Sequence, residues 1–155
     1  MIYRLYNSQD FDQLYAIEEV CFEASQRFGR RYMRQLIDST ESATWIAERD
    51  GKMAGFAIAD WAEEAGDIVA YIQTIEVLPE ERGHGVGSEL LERIEASAQA
   101  ANAGLNWLHV EDGNDGAIHL YEAHSYLCEG REEGYYAVGH AALIYAKRLE
   151  FETAA

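Results

Sequence analysis

The run Arg82-Gly83-His84-Gly85-Val86-Gly87-Ser88 separates two strongly patterned segments of the chain. Before it stands an apolar, β-branched stretch, Tyr71 to Val77, with the period of a strand. After it, Val86, Leu90, Leu91, Ile94 and Ala98 share one face of a helix. Strand, glycine-rich turn and helix in succession present bare backbone N–H groups to a phosphate. Glycines on alternate positions let a ligand come close, because no Cβ intervenes. The helix N-terminus adds about half a positive charge. Arg82 adds a full one and can hold a phosphate through two parallel hydrogen bonds. Residues 82–88, with Arg82, Gly83, His84, Gly85, Val86, Gly87 and Ser88, are therefore candidate contacts to a nucleotide phosphate.

Two other phosphate loops do not fit. A Walker A loop places Lys before the hydroxyl, whereas Gly87 precedes Ser88 here. A dinucleotide fingerprint is G-x-G-x-x-G followed by an acidic residue on the next strand; the run here is G-x-G-x-G with no suitable acid near position 105. A tight turn without a ligand also uses such glycines.

With 155 residues the chain is long enough for one domain with one sizeable core. Strands are expected at residues 2–7, 44–48, 53–58, 69–77, 105–110, 127–129 and 141–149. Asp50-Gly51 marks a hairpin, and Glu63 to Asp67 reads as a polar loop. Asp10 with Gln13 resembles a capping box ahead of a helix bearing Phe11, Leu14, Ile17 and Val20 on one face. A second short helix carries Tyr32, Met33, Leu36 and Ile37, and a last one runs from Asn114 to Ala123. Adjacent strands pair antiparallel, and the central β-α-β step is parallel. The result is a mixed α/β or α+β sheet with helices on its faces.

The net charge of −16 repels nucleic acid and anionic lipid and favours a cationic partner, although acidity also serves solubility. No apolar stretch nears the ~20 residues of a membrane span, and the N-terminus lacks a signal peptide's apolar centre. Cys21 and Cys128 are read as reduced thiols of a cytoplasmic protein. The histidines form no metal motif: His119 and His124 miss the spacing that joins ligands on one helix face.

This element order, together with two motifs, resembles the GNAT superfamily of acetyl-CoA-dependent N-acyltransferases. The family's phosphate loop, Q/R-x-x-G-x-G/A, is matched by Arg82 to Gly87, and its N-x-x-A-x-x-x-Y by Asn114 to Tyr121. The resemblance is carried by residues 44–149 and is nearest to bacterial enzymes that acetylate the N-terminal alanine of a ribosomal protein. Val77-Leu78-Pro79, Trp107-Leu108, Leu120-Tyr121-Glu122 and Tyr135-Tyr136 support the subgroup. Two features depart from it. His109, in Leu108-His109-Val110-Glu111, stands where the subgroup has a glutamate base, and Ala24-Ser25-Gln26-Arg27 replaces a Pro-Trp loop.

The resemblance implies a single domain over residues 1–150, with a short tail at 151–155. It also implies about six to seven mostly antiparallel strands, a splayed central parallel pair and about four helices. Acetyl-CoA is the implied cosubstrate, without a metal. Its pantetheine would lie beside the backbone of Ile75, Glu76 and Val77, and its diphosphate on residues 83–88. Tyr121 would protonate the departing thiolate or hydrogen-bond its sulfur, and Asn114 would touch the cofactor or cap its helix. His109, then Glu76, are the implied general bases; Glu111 shares the face of His109 by strand alternation. Tyr135 and Tyr136 would meet the acceptor, cover the core or make a dimer contact. The acceptor is read as a protein or peptide N-terminal α-amine. The alternatives are a small amine such as a polyamine, amino acid or antibiotic, and a CoA-binding regulatory module without turnover. Monomer and homodimer are both open.

Overall fold

The computed structural model describes residues 1–149, so the 151–155 tail lies outside the described residues. Its elements are β1 (Ile2–Leu5), α1 (Phe11–Cys21), α2 (Arg30–Asp38), β2 (Ser42–Arg49), β3 (Lys52–Glu64), β4 (Asp67–Val77), α3 (Val86–Ala100), β5 (Ala103–Glu111), α4 (Asp115–Ala123), β6 (Leu127–Ala137) and β7 (His140–Arg148). They form a seven-stranded sheet in the order β1-β2-β3-β4-β5-β7-β6. Every neighbouring pair is antiparallel except β4 with β5.

Strand alternation divides the core between the two faces of the sheet. Ala47, Ala57 and Ala59 join Val86, Leu90, Leu91 and Ile94 of α3 and Tyr121 of α4. Their sequence neighbours Ile46, Phe56 and Ile58 join Phe11, Leu14 and Ile17 of α1 and Met33 and Leu36 of α2. Small alanines on the first face let α3 pack close; large residues on the second fill the space under two short helices.

Several sequence expectations shift. The capping box is built one turn earlier: Asn7 caps the 3₁₀ turn at Ser8–Asp10, and Asp10 accepts from the Asn7 N–H. Asp10 is already committed to Arg4, which grips both its carboxylate oxygens at 2.7 and 2.8 Å. Val20 is 59% exposed, and Tyr15 and Glu18 are buried in its stead, because each step of three residues turns the helix by only about 300°, so by Val20 the expected stripe has rotated about half a turn away from Phe11. The polar stretch at 63–67 is no loop: β3 and β4 run through it around a two-residue turn, Ala65-Gly66, with φ of 51° and 89°. Asp50-Gly51 makes the same kind of turn, with φ of 52° and 78°. β6 is far longer than 127–129; as an exposed edge strand it carries no apolar alternation to announce it.

The decisive feature is a seam. β4 and β5 pair only from Ile68↔Ala103 to Tyr71↔Trp107. Beyond that, β4 stays paired with β3 up to Val77, and β5 with β7 up to Glu111. The two central strands therefore part company, leaving facing backbone groups without strand partners.

Candidate active site

Two adjoining cavities open along this seam, sharing Phe22, Ile75, Asn114 and Ala117 in their walls. The first, about 540 Å³, lies between the end of β4 and the start of α3, against Ile75, Glu76, Val77, Arg82, Gly83, Gly85, Val86, Gly87, Ser88 and Asn114. The second, about 610 Å³, lies against Tyr71, Ile75, His109, Glu111, Asn114, Tyr121, Tyr135 and Tyr136. A third hollow, about 470 Å³ beside β1 and β2, holds no acid, base or thiol.

The glycines of the turn differ in purpose. Gly83 and Gly85 both have φ of 81°, and a Cβ on either would meet nothing within 4 Å. They are required by backbone conformation and leave the space in front of them clear. Gly87 lies against Leu120 of α4, where a Cβ would stand 3.4 Å from Cδ2. No side chain caps α3, so its first N–H groups stay available to an anion. The groups of this cavity fit a nucleotide diphosphate with a chain running on along the seam.

Not every expected contact has its expected form. Arg82 is exposed, but its Nε is spent on the Val77 carbonyl at 2.9 Å, so it braces the end of β4 and has only part of its fork left for a phosphate. His84 is exposed and outside the cavity wall, at the crest of the turn. Ser88 Oγ is engaged by His124 Nε2 at 3.1 Å. Asn114 caps α4 by accepting from the Ala117 N–H at 3.2 Å, while also lining both cavities.

In the second cavity His109 is held on three sides. Tyr71 OH is 2.7 Å from its Nδ1, Glu132 is 3.3 Å from its Nε2, and the Tyr135 ring stacks on it at 4.3 Å. Burial, reinforced by Tyr135, lifts the Tyr71 phenol well above its ordinary range, so Tyr71 keeps its proton. The Glu132 carboxylate can only accept at Nε2, which leaves Nδ1 as the nitrogen facing the Tyr71 hydroxyl. Tyr136 packs edge-on to Tyr135, and Glu111 at the end of β5 bonds His140 at the start of the neighbouring β7. Tyr121 is 6% exposed, and burial, with Tyr136 nearby, raises its phenol as well, making it a proton donor at neutral pH. Glu76 is 3% exposed; burial and the neighbouring Glu18 carboxyl push it far above the usual carboxyl range. It therefore holds its proton, which argues against its use as a base.

Tyr71 and Glu18 belong to no motif of the sequence. Parallel pairing of Tyr71 with Trp107 brings Tyr71 beside His109, two residues farther along β5. A glutamate on the apolar stripe of α1 was the visible sign of Glu18.

Residues 11–126 match the acetyltransferase (GNAT) family. Among curated proteins, a streptothricin acetyltransferase of Streptomyces lavendulae is 33% identical over 100 residues, covering 64% of this chain and 52% of that protein. The chain thus spans about half of that relative's length. The NAA10 catalytic subunit of the Arabidopsis thaliana N-terminal acetyltransferase A complex is 28% identical over 128 residues, covering 81% of this chain and 67% of that protein. Among solved structures, the Escherichia coli ribosomal-protein-S18-alanine N-acetyltransferase superposes with a TM-score of 0.84 at 22% identity, covering 99% of this chain and 96% of that one.

Proposed function

Since this chain belongs to the GNAT acetyltransferase family, we propose that it transfers the acetyl group of acetyl-CoA to a primary amine, foremost the α-amine of a peptide or protein N-terminus. The observation that carries the reading is the unpaired seam between β4 and β5, which runs from the Gly83–Ser88 turn to Tyr121. Backbone N–H groups of residues 83–88 hold the diphosphate, and the free edge of Ile75–Val77 pairs with the pantetheine amides. Acetyl-CoA brings the activated thioester; the protein orients the amine against it and moves two protons.

The first proton leaves the amine. Tyr71 accepts it at Oη while passing its own to His109 Nδ1, since both nitrogens of His109 are already engaged. As the nitrogen bonds to the acetyl carbon, the C–S bond breaks, and Tyr121 supplies the proton that the leaving thiolate takes up. A thiol of pKa about 8.5 is a good enough leaving group for a phenol to suffice.

An α-amine, with pKa near 7.8, is neutral in about one molecule in seven at pH 7. A lysine, near 10.4, is neutral about once in 2,500. Reaching the neutral form thus costs about 1 kcal/mol for the first and nearly 5 kcal/mol for the second. A histidine relay suits the α-amine. The relationship to NAA10 supports this acceptor. The relationship to a streptothricin acetyltransferase favours a second reading, a small cationic amine, and the acceptor cavity has no Lys or Arg in its wall to repel one.

Acetylation of an Ala-starting peptide, a peptide whose only amine is a lysine side chain, and spermidine tests the proposal. The Ala-starting peptide is expected to have the highest kcat/KM. Preference for spermidine selects the second reading. Tight acetyl-CoA binding with no turnover on any amine overturns transfer and leaves a CoA-binding module.

A further inference from the structure

At the α1 end of the acceptor cavity lies a feature that the transfer chemistry does not use. Glu18, 1% exposed, and Glu76, 3% exposed, come together in the wall between the two cavities. Glu18 Oε2 accepts from the Phe28 N–H at 3.1 Å, and Glu76 Oε2 from Thr74 Oγ1 at 2.7 Å. The Oε1 atom of each takes no hydrogen bond from any described donor. Burial, and then the Glu18 carboxyl beside it, raises Glu76 far above the usual carboxyl range, so Glu76 keeps its proton. The Oε1 of Glu18 is left as a buried acceptor without a partner, in the wall of a cavity that carries no Lys or Arg. A buried acceptor without a donor is costly and is relieved when a donor such as an ammonium arrives.

The surroundings select the kind of cation. Phe22, Phe28, Tyr32, Tyr71 and Trp107 line the same cavity as Glu18. Phe28 and Tyr32 pack with ring centroids 5.5 Å apart, and Tyr71 and Trp107 at 4.6 Å. Aromatic faces around a carboxylate receive an organic ammonium better than a hydrated metal ion.

We propose that this end of the cavity binds a second, non-reacting basic nitrogen of the acceptor, with Glu18 as the specificity-determining residue. The proposal rests on the acetyl-transfer reading and adds the chemical class of its acceptor. A nitrogen that donates its N–H to the Glu18 Oε1 has its protonated form favoured, and a protonated nitrogen cannot attack a thioester. The nitrogen at Glu18 is therefore the handle, and the one that reacts sits at the Tyr71–His109 end. Such an acceptor is a free diamine or a peptide with a basic side chain next to its N-terminus.

Affinity measured by calorimetry on the CoA complex tests this without requiring turnover. One arm compares 1,4-diaminobutane with 1-aminobutane; the other compares Ala-Lys-Ala with Ala-norleucine-Ala. The wild-type protein is expected to bind the doubly basic member of at least one pair ten-fold or more tighter, and the pair that responds identifies the source. Glu18→Gln, which keeps size and the Phe28 contact, should abolish that preference while leaving the singly basic ligand and CoA unchanged. Tyr32→Leu, altering a ring that is 47% exposed, should reduce it in the same direction if Glu18→Gln does not fold. Equal affinities within both wild-type pairs overturn the proposal, as does a folded Glu18→Gln protein that keeps the preference. A preference without acetylation of any acceptor would instead overturn the transfer reading.

Discussion

Tyr71 Oη and His109 Nδ1 stand 2.7 Å apart at the point where β4 and β5 cease to pair. With Nε2 turned to Glu132 at 3.3 Å, the imidazole has no nitrogen free for a direct approach by an amine. In the proposed transfer, Tyr71 is the group that meets the acceptor, and His109 takes over its proton. Tyr71→Phe and His109→Ala should each lower kcat/KM by about ten- to hundred-fold, the lower range for loss of acid–base assistance. Residues acting as one relay are not additive. The double variant should be no slower than the worse single variant, with acetyl-CoA affinity intact in all three; multiplicative losses would reject the relay.

Tyr121 lines the same cavity. Its buried phenol stays protonated through neutral pH, because burial raises it. Tyr121→Phe keeps the ring that packs on Tyr126 at 5.7 Å and removes only the proton donor. The expected result is a fall in kcat of about a hundred-fold, with the acetyl-CoA Kd unchanged. Steady-state kinetics alongside calorimetry separates these; unaltered turnover would assign Tyr121 to packing alone.

The parts of the fold legible in the sequence are those with one-sided burial. The α3 stripe of Val86, Leu90, Leu91, Ile94 and Ala98 is buried throughout. Asp50-Gly51 is a tight hairpin because its backbone takes positive φ at both positions. β6 was largely invisible because an exposed edge strand has no apolar face to alternate. The turn and the Asn114–Tyr121 motif pointed to the site, since both lie on local stretches of chain. Tyr71 and the Glu18–Glu76 pair escaped notice, as each depends on a tertiary partner from another element. Arg82 shows the same limit: its type and position were right for an anion, yet its Nε is bound to Val77.

Gly85 and Gly87 occupy one turn for different reasons, and substitution separates them. Gly85→Ala forces a Cβ into the left-handed region at φ of 81°, at a cost of about 1–2 kcal/mol. Gly87 has no such φ, and its Cβ would graze Leu120 at 3.4 Å. Gly87→Ala also gains helix propensity, so its net effect should stay within about 1 kcal/mol. Urea unfolding measures both. Equal destabilisation by the two would show that crowding, not backbone conformation, governs this turn.

Glu76 links burial to the pH dependence of stability. Its folded pKa is raised, chiefly by burial and then by Glu18, while in the unfolded chain it lies near 4.3. A group whose folded value is raised contributes its stability in full below the unfolded value and loses it as pH climbs toward the folded one. Glu76→Gln has no proton to release and can still accept from Thr74 Oγ1. Wild-type stability should therefore fall relative to the variant between pH 5 and pH 9, with a slope approaching about 1.4 kcal/mol per pH unit while Glu76 stays protonated. Urea titrations of both proteins at each pH give the two curves. Parallel curves would mean that Glu76 ionises in the folded protein.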